Sequence, residues 1–578
     1  MSAQLQQDGR GDLARLIATA RGERPADLVL GGGRVMNIFN GRIEEADLAI
    51  CDGVVAGLGQ YQGRRRVELA GAYVLPGFIE GHLHVESSFL SPAELARAVC
   101  PRGTSMIVGD PHEIANVMGL GGVRAMLEGS RGLPVTYRYL ASSCVPATGL
   151  ETSGASLSAE DLLALAEEPE VLGLAEMMNY PGVLMADPAV LAKLAAFAGG
   201  IIDGHAPLLA GRDLNAYLAA GPESDHECSR LEEAAEKLAK GMWIMIRQGT
   251  SAQNLAELLP VVNQRTLRRC LLVSDDRHPD ELAEAGHLDD LLRLAVAQGW
   301  DPVDAVTMVT LNPARRFGLK RRGALAPGYL ADLVVVEDLA DFEVRQVYQA
   351  GRLVAEAGRC LHPCDTPFPG TARGTMHLPR LTAESFQPAA AGSRVRVIEL
   401  QPGQIITGRA AEEAPLAGGR LAADPGRDLA LLAVVERHHG TGRVGVGLVR
   451  GLGLKRGALA SSVAHDSHNL VVAGADPQSM LTACRHLAET GGGICAARDQ
   501  EVLAGLALPL AGLMSDRRLE SVLVDLRSLR EAAAALCRHP EPFMAMSFLA
   551  LPVIPHLKLT DQGLVDVDEF GFTDLWLD

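Results

Sequence analysis

The sequence predicts an α/β protein built from a (β/α)8 barrel, a small composite β-sandwich domain and a C-terminal α+β domain. Three observations carry that expectation. Between Pro76 and Trp300, strand-like apolar runs alternate with helical stretches, the order that parallel strands with crossover helices require. Segments with β pattern and tight turns flank this region on both sides. Histidines and carboxylates gather at the ends of the apolar runs, where barrels of this kind keep their chemistry.

With 578 residues and 48% hydrophobic content, the chain is too long for one domain and can bury several cores. Residues 1–25 hold an N-terminal helix, amphipathic over Leu13–Arg21, without the apolar stretch and cleavage site of an export signal. Residues 26–75 read as short strands at Asp27–Gly31, Gly33–Asn37, Asp47–Gly53 and a run from Val54, with Asp52-Gly53 as a hairpin turn. Residues 320–372 return to this pattern at Gly328–Glu337 and Val344–Ala355, completing the composite sandwich. The barrel is expected over 76–319. Its strands are Val74–Gly81, Thr104–Asp110, Val135–Ala141, Val171–Met177, Gly200–His205, Ser224–Glu227, Met242–Gln248 and Cys270–Asp275, eight strands in roughly 225 residues, a normal barrel length. Pro363, Pro367 and Pro369 mark a linker. The last domain, 373–578, has expected strands at Arg394–Leu400, Leu429–Arg437, Leu470–Ala473 and Val522–Asp525, and helices at Pro477–Thr490 and Leu526–Arg538.

A net charge of −18 and only 4% aromatic residues argue against a nucleic-acid polymer or an anionic membrane as partner. A small uncharged ligand such as a free nucleobase is compatible with both. No run approaches the roughly 20 apolar residues of a membrane span. The 10 cysteines read as reduced, mostly buried thiols of a cytoplasmic protein. A homodimer or higher homo-oligomer is the default assembly.

The first functional signal is His82-Leu-His84, two imidazoles projecting from one face of a strand end. Further strand ends bear Asp110-Pro-His112-Glu113, Glu176, His205, Asp225-His226-Glu227 and Asp275-Asp276. Each alone reads equally well as a satisfied buried polar group or a helix cap. Together they suit two divalent cations, which repel unless an anionic ligand bridges them. Glu176 with a hydroxide fills that role, His82, His84 and Asp275 hold one ion, and His205 with His226 the other. Such ligands suit Fe(II), Mn(II) or Zn(II).

The chain resembles the amidohydrolase superfamily in His82-Leu-His84, the histidines of strands five and six, the aspartate of strand eight, Thr310–Ala314 and Pro327–Leu333. Within it, Gly77–Ser88, Asp110–Val117, Glu176–Val183, Asp203–Pro207, Ser224–Glu227, Ser274–Pro279 and Val463–Asn469 closely resemble the adenine deaminase family. That family has a glutamate at strand four where many superfamily members have a carboxylated lysine, and Glu176 stands there. Small departures are Glu80 for a usual aspartate and Gly109 for a usual alanine. The resemblance implies hydrolysis of adenine to hypoxanthine and ammonia in purine salvage, with Mn(II) or Fe(II) preferred and Zn(II) the alternative. Asp275 is then the shuttling base. Glu113 is a further acid/base, or else orients His112 or caps a helix; Glu227 acts on substrate or holds a ligand in place. Ser87, Asp110, His112 and His465 are candidates for binding substrate. His465 and His468 close the site, bind another metal or bond within their own domain. The rivals are an amidohydrolase acting on a cyclic amide or another 6-substituted purine, and an inactive barrel kept as a scaffold.

Other signals are weaker. Gly440–Gly445 satisfies G-x-G-x-x-G but precedes a strand-like run and reads as a turn. His84-Val-Glu86 lacks the P-C-x-x-C partner of zinc nucleobase deaminases, since Cys360 and Cys364 are spaced differently. His438-His439 and Glu232-Glu233 read as solvated or supporting residues.

Overall fold

The computed structural model describes residues 12–250, 252–402, 404 and 406–577. The N-terminal helix spans Leu13–Ala20, and the Asp12 side chain caps it by accepting the Arg15 amide. Met1–Gly11 of the expected segment lie outside the described residues. Five strands follow: β1 (Ala26–Asn37), β2 (Arg42–Cys51), β3 (Val54–Gly59), β4 (Gly63–Glu68) and β5 (Tyr73–Pro76). Asp52 (φ 50°) and Gly53 (φ 76°) make the tight β2–β3 turn. The two strands expected within 27–37 are one, β1, with a register shift between Leu30 and Gly33.

The parallel strands are β6 (Phe78–Leu83), β7 (Thr104–Gly109), β8 (Thr136–Ala141), β9 (Val171–Met177), β10 (Ile201–Gly204), β11 (Ser224–Asp225), β12 (Trp243–Arg247) and β13 (Cys270–Val273). Strands β6 to β10 pair in order, as do β11 to β13. The Glu223 amide donates to Ile202 O (3.1 Å) between the two groups, and the Asp275 amide donates to His82 O (3.1 Å), closing the (β/α)8 barrel. Val108, Leu140, Ala175, Met245, Leu271 and Val273 meet in one cluster, which only the barrel interior permits. The expected strand Val74–Gly81 divides at Gly77 into β5 and β6. There the Gly77 amide donates to Asp332 O (2.9 Å), and a Cβ would meet Ser105 Oγ at 2.5 Å, so the chain changes sheets where only glycine fits.

After the barrel come β14 (Leu333–Val336), β15 (Val344–Gln349), β16 (Arg352–Glu356) and β17 (Arg359–Cys360). They join the first five strands in one nine-stranded sheet ordered β17-β16-β15-β14-β5-β1-β2-β3, with β4 paired to β1. Strand β14 lies antiparallel to β5, Leu333 opposite Pro76.

The C-terminal region is built on an eight-stranded sheet whose order is Thr407–Glu413, Arg394–Leu400, Val444–Arg450, Ala430–Val435, Leu470–Gly474, Ala458–Ser461, Gly493–Arg498 and Glu501–Ala507. Gly440 (φ 62°) and Gly442 (φ 84°) lie in the turn between two of these strands, as the sequence suggested. Helix Pro477–Thr490 packs Met480, Leu481, Cys484 and Leu487 against one face of the sheet. The other face joins the cluster that holds Val522, Leu529, Ala533 and Leu536 of helix Leu519–Leu536, and Phe89 and Leu90 of the barrel rim. The expected strand Val522–Asp525 is therefore helical. Val522 and Val524, two residues apart, would share a strand face, yet Val522 is buried and Val524 60% exposed. The buried residues Leu519, Val522, Leu526, Leu529, Ala533 and Leu536 recur every three or four positions, and burial at that period, worth roughly 1.5–3 kcal/mol per large apolar side chain, overrides strand propensity.

Candidate metal centre and active site

All eight barrel strands deliver polar side chains to one rim. Glu176, at the end of β9, is the hub. Its Oε1 lies 3.4 Å from His84 Nε2, 3.5 Å from His112 Nδ1 and 4.0 Å from His82 Nε2. Its Oε2 lies 2.7 Å from His205 Nδ1 and 3.2 Å from His226 Nε2. Asp275 faces the same space, with Oδ1 3.5 Å from His82 Nε2 and 3.3 Å from His84 Nε2. The side chains of His82, His84, Glu176, His226 and Asp275 are all buried.

Local backbone explains the aim of these groups. His82 and His84 bracket Leu83 at the end of β6, so their rings turn the same way. Asp275 leaves β13 at φ 57°, a left-handed conformation that aspartate tolerates better than most residues. Glu80, fully buried, accepts the amides of His82 (3.0 Å) and Ser274 (3.1 Å). This unusual glutamate thereby ties strand one to strand eight directly behind the ligands.

Electrostatics bind the cluster. Burial would raise Glu176, but His226 and His205 outweigh it and hold the carboxyl well below the usual range. Burial opposes the ionised Asp275 too, and is overcome by the facing His82 and His84 imidazoles and by the Arg247 guanidinium. His205 is pushed up to about 9, because Glu227 and Glu176 outweigh its desolvation. Protons held by imidazoles among carboxylates are what a divalent cation displaces. His82 Nε2 is buried with no hydrogen-bond partner. His84 Nδ1 lies 3.0 Å from Asp110 O, which leaves Nε2 pointing into the cluster. The compact donor groups are His82, His84 and Asp275; His82, Glu176 and His226; His205, His226 and Glu227; and His84, Asp110, His112 and Glu176. This nitrogen and carboxylate set fits borderline-to-hard divalent metals.

Asp110 and His112, expected to face substrate, thus extend the donor set. His112 Nδ1 is 3.3 Å from Asp110 Oδ2, whose Oδ1 accepts from Ser142 (2.8 Å). Glu227 is gripped by Arg247, which also donates to Asp275 Oδ2 (2.9 Å). Sequence reasoning missed Arg247. The available signal is a charged residue ending the apolar run Trp243–Ile246, a cation where the other strand ends carry histidines and carboxylates.

Glu113 occupies the upper rim. His465 Nδ1 lies 2.7 Å from its Oε1, His468 Nε2 contacts its Oε2, and His112 Nε2 is 3.5 Å from Oε1. Burial would raise this carboxyl, yet the histidines, His465 foremost, hold it well below its ordinary value. His465 also stacks on Phe548 at 5.3 Å, so the 463–469 segment caps the barrel mouth with an aromatic wall. Ser87 donates to Asp276, one residue beyond the cluster. His438 is buried, not solvated, with Nε2 2.7 Å from Ser467 O, and Glu233 pairs with Lys237. A cavity of about 520 Å³ lies beside this rim, past the Phe89–His278 pair, walled by Leu526, Leu529, Arg530 and Phe543.

Comparison with known proteins agrees with this architecture. Residues 73–354 match the family model of the amidohydrolase family, and residues 404–571 that of the adenine deaminase C-terminal domain. The chain is 48% identical over 561 residues to adenine deaminase 2 of Carboxydothermus hydrogenoformans, covering 96% of this chain and 98% of that protein. It is 49% identical over 565 residues to adenine deaminase of Desulfatibacillum aliphaticivorans, covering 97% and 99%. A solved enamidase, described as a member of the amidohydrolase superfamily, aligns with 57% of this chain and 96% of its own at a TM-score of 0.45 and 17% identity.

Proposed function

The chain belongs to the adenine deaminase family of amidohydrolases, and from that premise we propose that it hydrolyses the C6 amino group of adenine, taking up water and releasing hypoxanthine and ammonia in purine salvage. The observation that carries this reading is the convergence of His84, His112, His205 and His226 within 3.5 Å of the one buried carboxylate Glu176.

In this reading His82, His84, Asp275, Glu176, His205 and His226 hold two divalent ions, Mn(II) or Fe(II) in preference to Zn(II), with Asp110 and His112 as added donors. When bound, such ions supply Lewis acidity that brings the pKa of water to near 7. Asp275, steadied by Arg247 at 2.9 Å, accepts the proton released by the attacking water at Oδ1. Glu113, held ionised by His465, His468 and His112, takes up the second proton of that water and relays it to the ring, while Asp275 delivers its own to the departing amine. Glu227, clamped by Arg247, orients His205 and His226. Ser87 and His465 border the substrate, and the 463–469 segment excludes bulk water, strengthening every charge interaction beneath it.

The same reading divides the chain into an N-terminal helix (1–25), a composite β domain (26–75 with 320–372), the barrel (76–319) and a C-terminal domain (373–578). Among the described residues no helix is long and apolar enough to cross a membrane. The free thiols support a cytoplasmic location, and a homodimer or higher homo-oligomer completes the proposal, to be read from light scattering.

The deciding experiment combines metal analysis with an adenine deamination assay of the wild type and Glu176→Gln. Wild type is expected to release ammonia and hypoxanthine in equal amounts, to lose activity with chelator and to regain it with Mn(II) or Fe(II). Glu176→Gln is expected to lose metal and turnover together. Full activity in a metal-free Glu176→Gln protein, or hydrolysis of a hydantoin in place of adenine, overturns the assignment.

A further inference from the structure

Away from the barrel mouth, three cysteines from distant parts of the chain converge. Cys100 follows helix Pro92–Val99, Cys360 ends β17, and Cys364 lies in the Pro-rich stretch beyond. The Cys360 and Cys364 sulfurs are 3.8 Å apart, and the turn Cys100–Arg102 packs against β17, which brings the Cys100 thiol beside Cys360. Cys100 and Cys364 are buried and Cys360 half-buried.

A disulfide would bring two sulfurs to about 2.05 Å. A tetrahedral site with metal–sulfur bonds of about 2.3 Å spaces its sulfurs about 3.8 Å apart. The Cys360–Cys364 separation matches the second geometry. We propose that Cys100, Cys360 and Cys364 form a thiolate site for one thiophilic divalent cation of the Zn(II) class, with the fourth position facing solvent beside half-buried Cys360.

The surroundings agree. Pairing with Cys100 and Cys364 draws the Cys360 thiol below its usual range, which makes it the first of the three to give up its proton when a cation binds. Pairing with Cys360 and burial push the Cys364 thiol up, Glu94 adding to the shift and Arg97 opposing it, so this thiol ionises only as a cation takes the place of its proton. Both thiols of the 360–364 turn also bond His362 O, at 3.4 and 3.6 Å, which fixes the turn that presents them. The ion would fasten the last strand of the nine-stranded sheet to the barrel helix, a structural role separate from the His and carboxylate cluster.

The test uses full-length protein stripped of metal and reloaded with Co(II). Among the described residues the barrel-rim donors are nitrogen and oxygen only, and Cys51 beside Asp27 and Asp52 is a further thiol in a donor group, so in a Cys51→Ser background a near-ultraviolet thiolate-to-cobalt charge-transfer band reports the three-cysteine site. This background is expected to show the band at one equivalent of this class of site. Cys360→Ser and Cys364→Ser are each expected to abolish it, lower total bound metal by one equivalent and leave deaminase activity within twofold. No band in the cobalt-saturated background protein, a band that survives Cys360→Ser, or a Cys360–Cys364 disulfide found by mass spectrometry in protein purified under reducing conditions overturns the proposal.

Discussion

Replacing Lys237 by methionine probes how the barrel holds two of its histidines from behind. Lys237 is wholly buried, and its Nζ donates to Ala206 O (2.7 Å), Asp225 Oδ2 (2.9 Å) and Glu233 Oε1 (2.6 Å). Ala206 follows His205, Asp225 precedes His226, and the Ala206 amide itself donates to Asp225 Oδ1 (2.8 Å). Burial would raise Asp225, but the Lys237 charge overcomes it and the carboxyl falls to about 2 from an ordinary 3.8. At about 1.36 kcal/mol per tenfold change in proton affinity, this depression is worth on the order of 2 kcal/mol at neutral pH. Because the folded acid is depressed, the stabilisation is complete above the unfolded value near 3.8 and disappears as pH falls toward 2. Breaking a buried pair from one side costs about 3–5 kcal/mol, since the surviving charge stays buried. Urea unfolding of Lys237→Met at pH 7 is therefore expected to show a loss of about 3 kcal/mol, with weaker metal retention because His205 and His226 lose their common support. Adding Asp225→Asn should restore most of the stability by removing the orphaned charge. A loss below about 1 kcal/mol, or a double variant no more stable than the single one, refutes the reasoning.

Glu151 is buried, and desolvation together with Asp466 and Asp561 holds its carboxyl well above the usual range. The unfolded chain releases this proton first, so stability falls as pH rises above the ordinary glutamate value; the melting temperature of Glu151→Gln is expected to exceed that of wild type by a margin that widens from about pH 4.5 to 7, and parallel curves would disprove it. On helix Leu519–Leu536, Val524→Lys at the exposed position is expected to change stability by less than about 0.5 kcal/mol. Val522→Lys, at a buried one, is expected to cost more than about 3 kcal/mol by stranding a charge in the core, and equal effects in calorimetry would contradict the helical phase.

Much of the barrel was legible because its strands are short apolar runs whose polar ends fall at regular places. Val171–Met177 is read with its observed bounds, and His82, His84, Glu176, His205, His226 and Asp275 come together as their positions at strand ends implied. Other features have no local signature. The division at Gly77 is invisible because β5 and β6 are equally apolar and differ only in which sheet receives them. The fate of Val522–Asp525 is decided by the neighbours that bury every third or fourth residue, not by its own composition. Arg247 is a solitary cation whose meaning comes from Glu227 and Asp275, 20 and 28 residues away in sequence. The meeting of Cys100 with Cys360 depends on where β17 ends, which no spacing rule encodes.

The nine-stranded sheet places β14 directly on β5, although the whole barrel separates them along the chain. During synthesis at roughly 5–20 residues per second, the outer rim of β5 waits about 13–50 s for Leu333–Val336 to emerge from the ribosome. In that interval the open rim is a template for unwanted pairing with a neighbouring nascent chain. The late strands therefore act as a clasp, and newly made molecules are at their most vulnerable to clumping until it snaps shut.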